Sequence, residues 1–147
     1  VTQPEQAAGF EKLLGMEHIE LTADRVELAC EITPDLLQPY GIAHGGLHCS
    51  LVETAASYGA AIWFHGRGQV VGVANHTNFL RAARTGRLKV VAIPIHRGRT
   101  QQLWQVDITD DTGRAVARGE VRLANIASAD ALARPESPGA PETAPGS

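Results

Sequence analysis

Hydrophobic and polar positions change period along the chain, and each change marks an element. From Pro4 to Leu14 the apolar residues Ala7, Phe10, Leu13 and Leu14 recur at helical spacing and Gly15 follows as a stop, which predicts a short amphipathic helix. Met16 to Leu21 and Arg25 to Ile32 then read as two short strands around Thr22-Ala23-Asp24. In the second, Val26, Leu28, Cys30 and Ile32 alternate with polar or small residues. Thr33 to Gly46 holds Pro34, Pro39, Gly41, Gly45 and Gly46 and predicts a loop. A helical pattern returns from about Gly45 to Phe64, carrying Leu47, Leu51, Ala55, Ala56, Ala60 and Trp63 with hardly any charge. A helix that is apolar nearly all round is expected to be buried. Four long strand candidates follow: Val70 to Phe79, Arg87 to His96, Gln101 to Thr109 and Ala115 to Ile126. Thr85-Gly86, Arg97-Gly98 and Asp110-Asp111-Thr112-Gly113 separate the last three and the strand before them as turns. Strands linked this tightly are antiparallel neighbours or near neighbours.

A single buried helix in a small domain needs a sheet to wrap it. The order of elements therefore predicts an α+β hotdog domain, a curved antiparallel sheet wrapped around one long central helix, over residues 1–126. Residues 127–147 are rich in Ala, Pro, Ser and Gly, with four prolines in the last 13 positions, and are expected to be a disordered tail. The total of 147 residues suits one such domain. Neither a membrane-spanning apolar run nor a basic-then-apolar leader is present, so no membrane partner is expected.

The formal net charge of −3 argues against a nucleic-acid binder driven by bulk charge. Its distribution is uneven. Residues 1–53 hold nine acids and two bases, whereas residues 54–106 hold seven bases (Arg67, Arg81, Arg84, Arg87, Lys89, Arg97 and Arg99) and no acid. Two readings follow: an anion-binding surface, or an Arg-rich surface paired with the acidic first third.

Cys30 and Cys49 form no disulfide framework and read as free thiols of a cytoplasmic protein. Of six histidines, only His44 and His48 have the i,i+4 spacing that suits a metal on a helix. No third His or Cys lies near them, so no metal is expected.

The chemistry concentrates in Gln38-Pro39-Tyr40-Gly41-Ile42-Ala43-His44-Gly45-Gly46 and in Leu51-Val52-Glu53-Thr54-Ala55-Ala56-Ser57. Glu53 is the one acid on the long helix, and a carboxylate in such a place is costly unless it is paired or hydrogen-bonded. Ser57 lies one turn beyond it on the same face. His44-Gly45-Gly46 opens the helix and presents unsatisfied N–H groups at the positive end of its dipole, where a carbonyl oxygen gaining negative charge would be stabilised. Gly45 and Glu53 are eight residues apart, about 12 Å of helix rise. If both act on one carbonyl, they come from different subunits of a dimer with two equivalent sites.

These residues resemble the hotdog thioesterases of the 4-hydroxybenzoyl-CoA type found in Arthrobacter, and the related phenylacetate-pathway and enterobactin-pathway thioesterases. The resemblance runs from about residue 16 to 126. It rests on the ungapped spacing of Gln38, His44, Gly45, Glu53 and Ser57, on Val71 to Arg81, on Ile95 to Trp104 and on Asp110 to Arg114. It implies an acyl-CoA substrate, with coenzyme A as part of that substrate and no further cofactor. Glu53 would be nucleophile or general base, and the Gly45 amide would polarise the thioester carbonyl. Gln38 and His44 would position the thioester and helix end, and Ser57 would orient the attacking water or intermediate. Arg81, Arg84, Gly98, Arg99 and Thr100 would bind CoA. It also implies a tetramer built from two dimers. The chain departs from the 4-hydroxybenzoyl enzymes in having Arg99 where they have Ser, and Ala82 where they have Pro. The enterobactin-type enzymes carry His where this chain has Phe79.

Two alternatives stand beside hydrolysis. One is a hotdog hydratase or dehydratase, which pairs a loop His with a helix acid but shows a Pro-Gly pattern that is missing beside His44. The other is a non-catalytic acyl-CoA-binding module. Tyr58, Trp63, Phe64 and Phe79 are candidates for an aromatic acyl pocket, or else are core and interface residues.

Overall fold

The computed structural model describes residues 7–128. Their order is α1 (Gly9–Leu14), β1 (Met16–Leu21), β2 (Val26–Glu31), a short 3-10 turn (Pro34–Leu36), α2 (Gly45–Trp63), β3 (Gly68–Phe79), β4 (Arg87–Arg97), β5 (Gln101–Thr109) and β6 (Ala115–Ala127). All six strands form one sheet in the order β1-β2-β4-β5-β6-β3, and every pairing is antiparallel. With one helix against a curved antiparallel sheet, this is the hotdog fold. No helix among the described residues is long and apolar enough to cross a membrane.

Alternation along the strands builds the core. Leu88, Val90 and Ala92 on β4, Trp104, Val106 and Ile108 on β5, and Val121 and Leu123 on β6 are fully buried against α2. The helix answers with the stripe Leu47, Leu51, Val52, Ala55, Ala56 and Ala60. Gly59 sets its depth, because a Cβ there would lie 2.4 Å from the Trp104 ring. Trp104 Nε1 donates to Gln102 Oε1 at 2.8 Å, and Gln102 Nε2 donates to Asn125 Oδ1 at 2.8 Å and to Ala60 O at 3.3 Å. This buried relay pins the C-terminal half of α2 to β5 and β6, and so fixes where Glu53 stands along the sheet.

Two expectations change. Among the described residues α1 starts at Gly9, whose φ of +55° does not continue a right-handed helix, so Ala7 and Ala8 lie before it; the part of the predicted helix from Pro4 to Gln6 lies outside the described residues. The apolar face of α1 is largely uncovered, with Phe10 60% and Leu13 78% exposed. Nor is α2 buried all round: Ser50, Glu53, Thr54, Ser57 and Tyr58 are only half-buried, because a single sheet covers one side. The predicted tail lies, beyond Ser128, outside the described residues.

Candidate active site

The loop before α2 is shaped by its own backbone. Gly41, at φ +76°, allows its N–H to donate to Gln38 O at 2.9 Å, while Gln38 N–H donates to Ile42 O at 2.8 Å. The Gln38 side-chain oxygen accepts from the Tyr40 N–H. Arg84 Nη1 donates to the Tyr40 and Gly41 carbonyls at 3.2 and 3.3 Å, so this arginine holds the loop in place.

His44 caps the helix. Its Nδ1 accepts from the Gly46 N–H at 2.7 Å, and its carbonyl accepts from the Leu47 N–H at 2.9 Å. A Cβ at Gly46 would lie 2.8 Å from that Nδ1. With Gly46 and Leu47 served, the Gly45 N–H is left without an acceptor among the described residues, at the positive end of the helix. It borders a cavity of about 340 Å3 lined by Gln38, Gly45, His48, Phe79 and Arg81 among others. The Phe79 ring lies so close that a Cβ at Gly45 would meet it at 2.9 Å.

Glu53 stands two turns further along α2 and faces β3. Its Oε2 accepts from Asn75 Nδ2 at 3.1 Å, and the same amide donates to Cys49 O at 3.1 Å. Thr77 Oγ1 donates to Asn75 Oδ1 at 2.7 Å, which fixes the amide's orientation. The β3–β6 register shifts between Gly72 and Ala74, and the Glu53 carboxylate rests on the backbone at this bulge. Asn75 engages only part of the carboxylate's acceptor capacity. Ser57 lies one turn beyond, and its hydroxyl makes no hydrogen bond among the described residues.

Within one chain, Gly45 and Glu53 are therefore not neighbours. They face opposite ends of the same β3 segment, Phe79 and Gly72. The basic residues divide in the same way. Arg81 lines the cavity at the Phe79 end. The Gly98-Arg99-Thr100 turn is tied to Asn125, through Gly98 O to Asn125 Nδ2 at 2.9 Å and Thr100 O to Asn125 N at 2.9 Å, and Asn125 pairs with Val70 at the other end of β3. Nine residue steps along the strand separate Val70 from Phe79, about 30 Å.

The structure also apportions the basic middle segment. Arg87, Lys89 and Arg97 pair with Glu17, Glu27 and Asp24 of the acidic first third. Arg67 stacks on Trp63 and Phe64. Arg81 and Arg99 have no ion-pair partner among the described residues. Of the four aromatic candidates only Phe79 borders the cavity: Tyr58 donates to Glu11 and meets the His18 ring edge-on, and Trp63 and Phe64 lie at the far end of α2.

Sequence reasoning did not single out Gly72, Asn75 or His48 as site residues. An asparagine on an edge strand looks like an ordinary solvent-facing residue, and only the fold shows what it holds. His48 entered only as a spacing partner of His44, yet the two have separate surroundings: His44 caps the helix and His48 turns inward, 4% exposed.

Residues 40–117 match the Thioesterase superfamily. The chain belongs to that superfamily and is a thioesterase. The crystal structure of S. sahachiroi AziG superposes with a TM-score of 0.80 at 46% identity, covering 82% of this chain and 98% of that one. A 1,4-dihydroxy-2-naphthoyl-CoA hydrolase of Listeria monocytogenes is 30% identical over 116 residues, 79% of this chain and 94% of the relative. The proofreading thioesterase EntH of Cronobacter turicensis is 33% identical over 101 residues, 69% of this chain and 74% of the relative.

Proposed function

We propose that the protein hydrolyses acyl-CoA thioesters to a free acid and CoA, at sites shared between two copies of the chain. The reading rests on one observation: α2 carries a single carboxylate, Glu53, held at a β3 bulge, while a free N–H at Gly45 faces the other end of the same strand. The β3 strand is an edge strand, hydrogen-bonded on one side only. Two β3 edges pairing antiparallel, about a two-fold between Gly72 and Phe79, would bring Glu53 of one copy toward Gly45 of the other. The same operation would bring Arg99 and Thr100 of one copy toward Arg81 of the other, a grip for the phosphates of one CoA. The two-fold thus solves both separations at once.

In this arrangement the Gly45 N–H donates to the thioester carbonyl oxygen and strengthens that bond as negative charge develops there. His44 and Gln38 hold the helix start and the loop in position. Glu53 acts in one of two ways. As nucleophile, its oxygen bonds to the carbonyl carbon, the C–S bond breaks, CoA leaves as thiolate and is protonated, and water then opens the mixed anhydride. As general base, it takes a proton from water, the hydroxide adds to the carbonyl, and thiolate leaves. Ser57, one turn away, is placed to orient the attacking water or intermediate. The name of the Listeria relative favours a CoA ester with an aromatic acyl group, and that of the Cronobacter relative favours a thioester. The free thiols Cys30 and Cys49 suit a reducing cytoplasm.

The test is a panel of CoA esters (benzoyl, phenylacetyl, hydroxylated aromatic and aliphatic), with release of CoA followed by a thiol reagent. Turnover of aromatic esters is expected. Absence of thiol release from every ester would overturn the proposal.

A further inference from the structure

His48 is buried in a wall of the Gly45 cavity, and nothing in the proposed hydrolysis uses it. It is 4% exposed, and its Nδ1 is enclosed without a hydrogen-bond partner. Such an atom is costly when nothing meets it, so a buried imidazole with a bare nitrogen needs a reason. The stripe it belongs to is otherwise aliphatic, with Leu47, Leu51 and Val52 beside it, and a leucine would serve that packing without the penalty. Helical geometry places the ring close to the chemistry. His48 is three residues after Gly45, on the same face, and side chains on a helix lean toward its N-terminus. The ring therefore leans back over the turn that begins at Gly45. The Phe79 ring, which abuts Gly45, has its centroid 6.0 Å from that of His48. One cavity thus holds a free backbone N–H, an aromatic face and a buried polar ring. Burial pushes the imidazole's proton affinity down, and a neutral imidazole offers one donor and one acceptor.

We propose that His48 determines acyl specificity: it hydrogen-bonds a polar substituent on the acyl group, so the enzyme prefers acyl thioesters bearing a hydroxyl or carbonyl beyond the scissile carbonyl over their unsubstituted counterparts. The inference rests on the proposal that the Gly45 cavity receives the thioester. Nδ1 is enclosed by the protein, whereas Nε2 is not, so Nε2 is the nitrogen a substituent in the cavity would meet; an unsubstituted acyl group would cover it without giving it a partner, and that is the source of discrimination.

The experiment measures kcat/KM for matched CoA esters that differ by one hydroxyl: benzoyl against 2-, 3- and 4-hydroxybenzoyl, and butyryl against 3-hydroxybutyryl. The native protein, His48→Leu and His48→Gln are compared. The native protein is expected to favour at least one hydroxylated ester on the order of tenfold. His48→Leu should collapse that ratio toward one, and His48→Gln, which keeps a donor and an acceptor, should retain part of it. Equal turnover of every pair by the native protein would overturn the inference and leave thioester hydrolysis standing, and this arm needs no variant to fold. An undiminished ratio in folded His48→Leu would overturn it equally. Absence of turnover for all esters would overturn the hydrolysis proposal, and this inference with it.

Discussion

The Glu53 carboxylate occupies the space a side chain at Gly72 would need: a Cβ there would lie 2.0 Å from Oε1. The catalytic candidate is thus seated by the absence of a side chain on the neighbouring strand, at a bulge that turns the β3 backbone toward it.

Gly72→Ala follows directly. The clash falls on the far end of a flexible side chain, so Glu53 can swing aside without disturbing the core. Stability measured by chemical denaturation should change by less than about 1 kcal/mol. Turnover should fall on the order of a hundredfold, because the carboxylate is displaced by more than an ångström. A variant that keeps native kcat would show that Glu53 is not needed where it is seated.

Asn75 is a positioning residue, bridging Cys49 O and Glu53 Oε2. Asn75→Ala should lower kcat about tenfold or more with little change in KM. Asn75→Asp sets a second carboxylate beside Glu53, and like charges raise proton affinity. The acidic limb of its pH–kcat profile should shift to higher pH. An unmoved limb would separate Asn75 from the chemistry.

Shared sites are tested by mixing two inactive variants. Glu53→Gln keeps Gly45, and Gly45→Val keeps Glu53. A mixed dimer then holds one intact site, so random pairing should restore about a quarter of native activity. Activity that stays at the sum of the two separate variants would contradict a site built across a two-fold.

Burial pushes the Cys30 thiol up to about 11, with the Glu17 and Glu31 charges adding to the effect, and its Sγ lies 3.3 Å from Leu14 O. The thiolate is the reactive form, so Cys30 should resist a thiol reagent near pH 8 in the native protein and react fully in denaturant. Rapid native labelling, located by mass spectrometry of the peptide holding Cys30, would contradict its placement.

Much of this architecture is legible in the residues themselves. The start of α2 is marked by Gly45 and Gly46, and its end at Trp63 falls one residue from the predicted Phe64. β5 has the bounds Gln101–Thr109 that its flanking turns predict, and Gln102, Trp104, Val106 and Ile108 alternate into the core. Glu53 stood out because an acid on an apolar helix demands a partner. What stayed hidden depends on tertiary contact. No local pattern shows that Asn75 reaches across to α2, that Gly72 is small to admit a carboxylate, or that His48 turns inward. Arg81 and Arg99 lie in one basic segment of sequence, yet they stand toward opposite ends of β3. Arg84 belongs to the same segment and is engaged by loop carbonyls.

The most direct test is the kinetic effect of Glu53→Gln on a CoA ester that the native protein hydrolyses. The substitution preserves the shape of the side chain and removes its charge. Turnover should fall at least on the order of a thousandfold with KM and melting temperature near native. A folded Glu53→Gln protein with near-native kcat would contradict a catalytic carboxylate at this position.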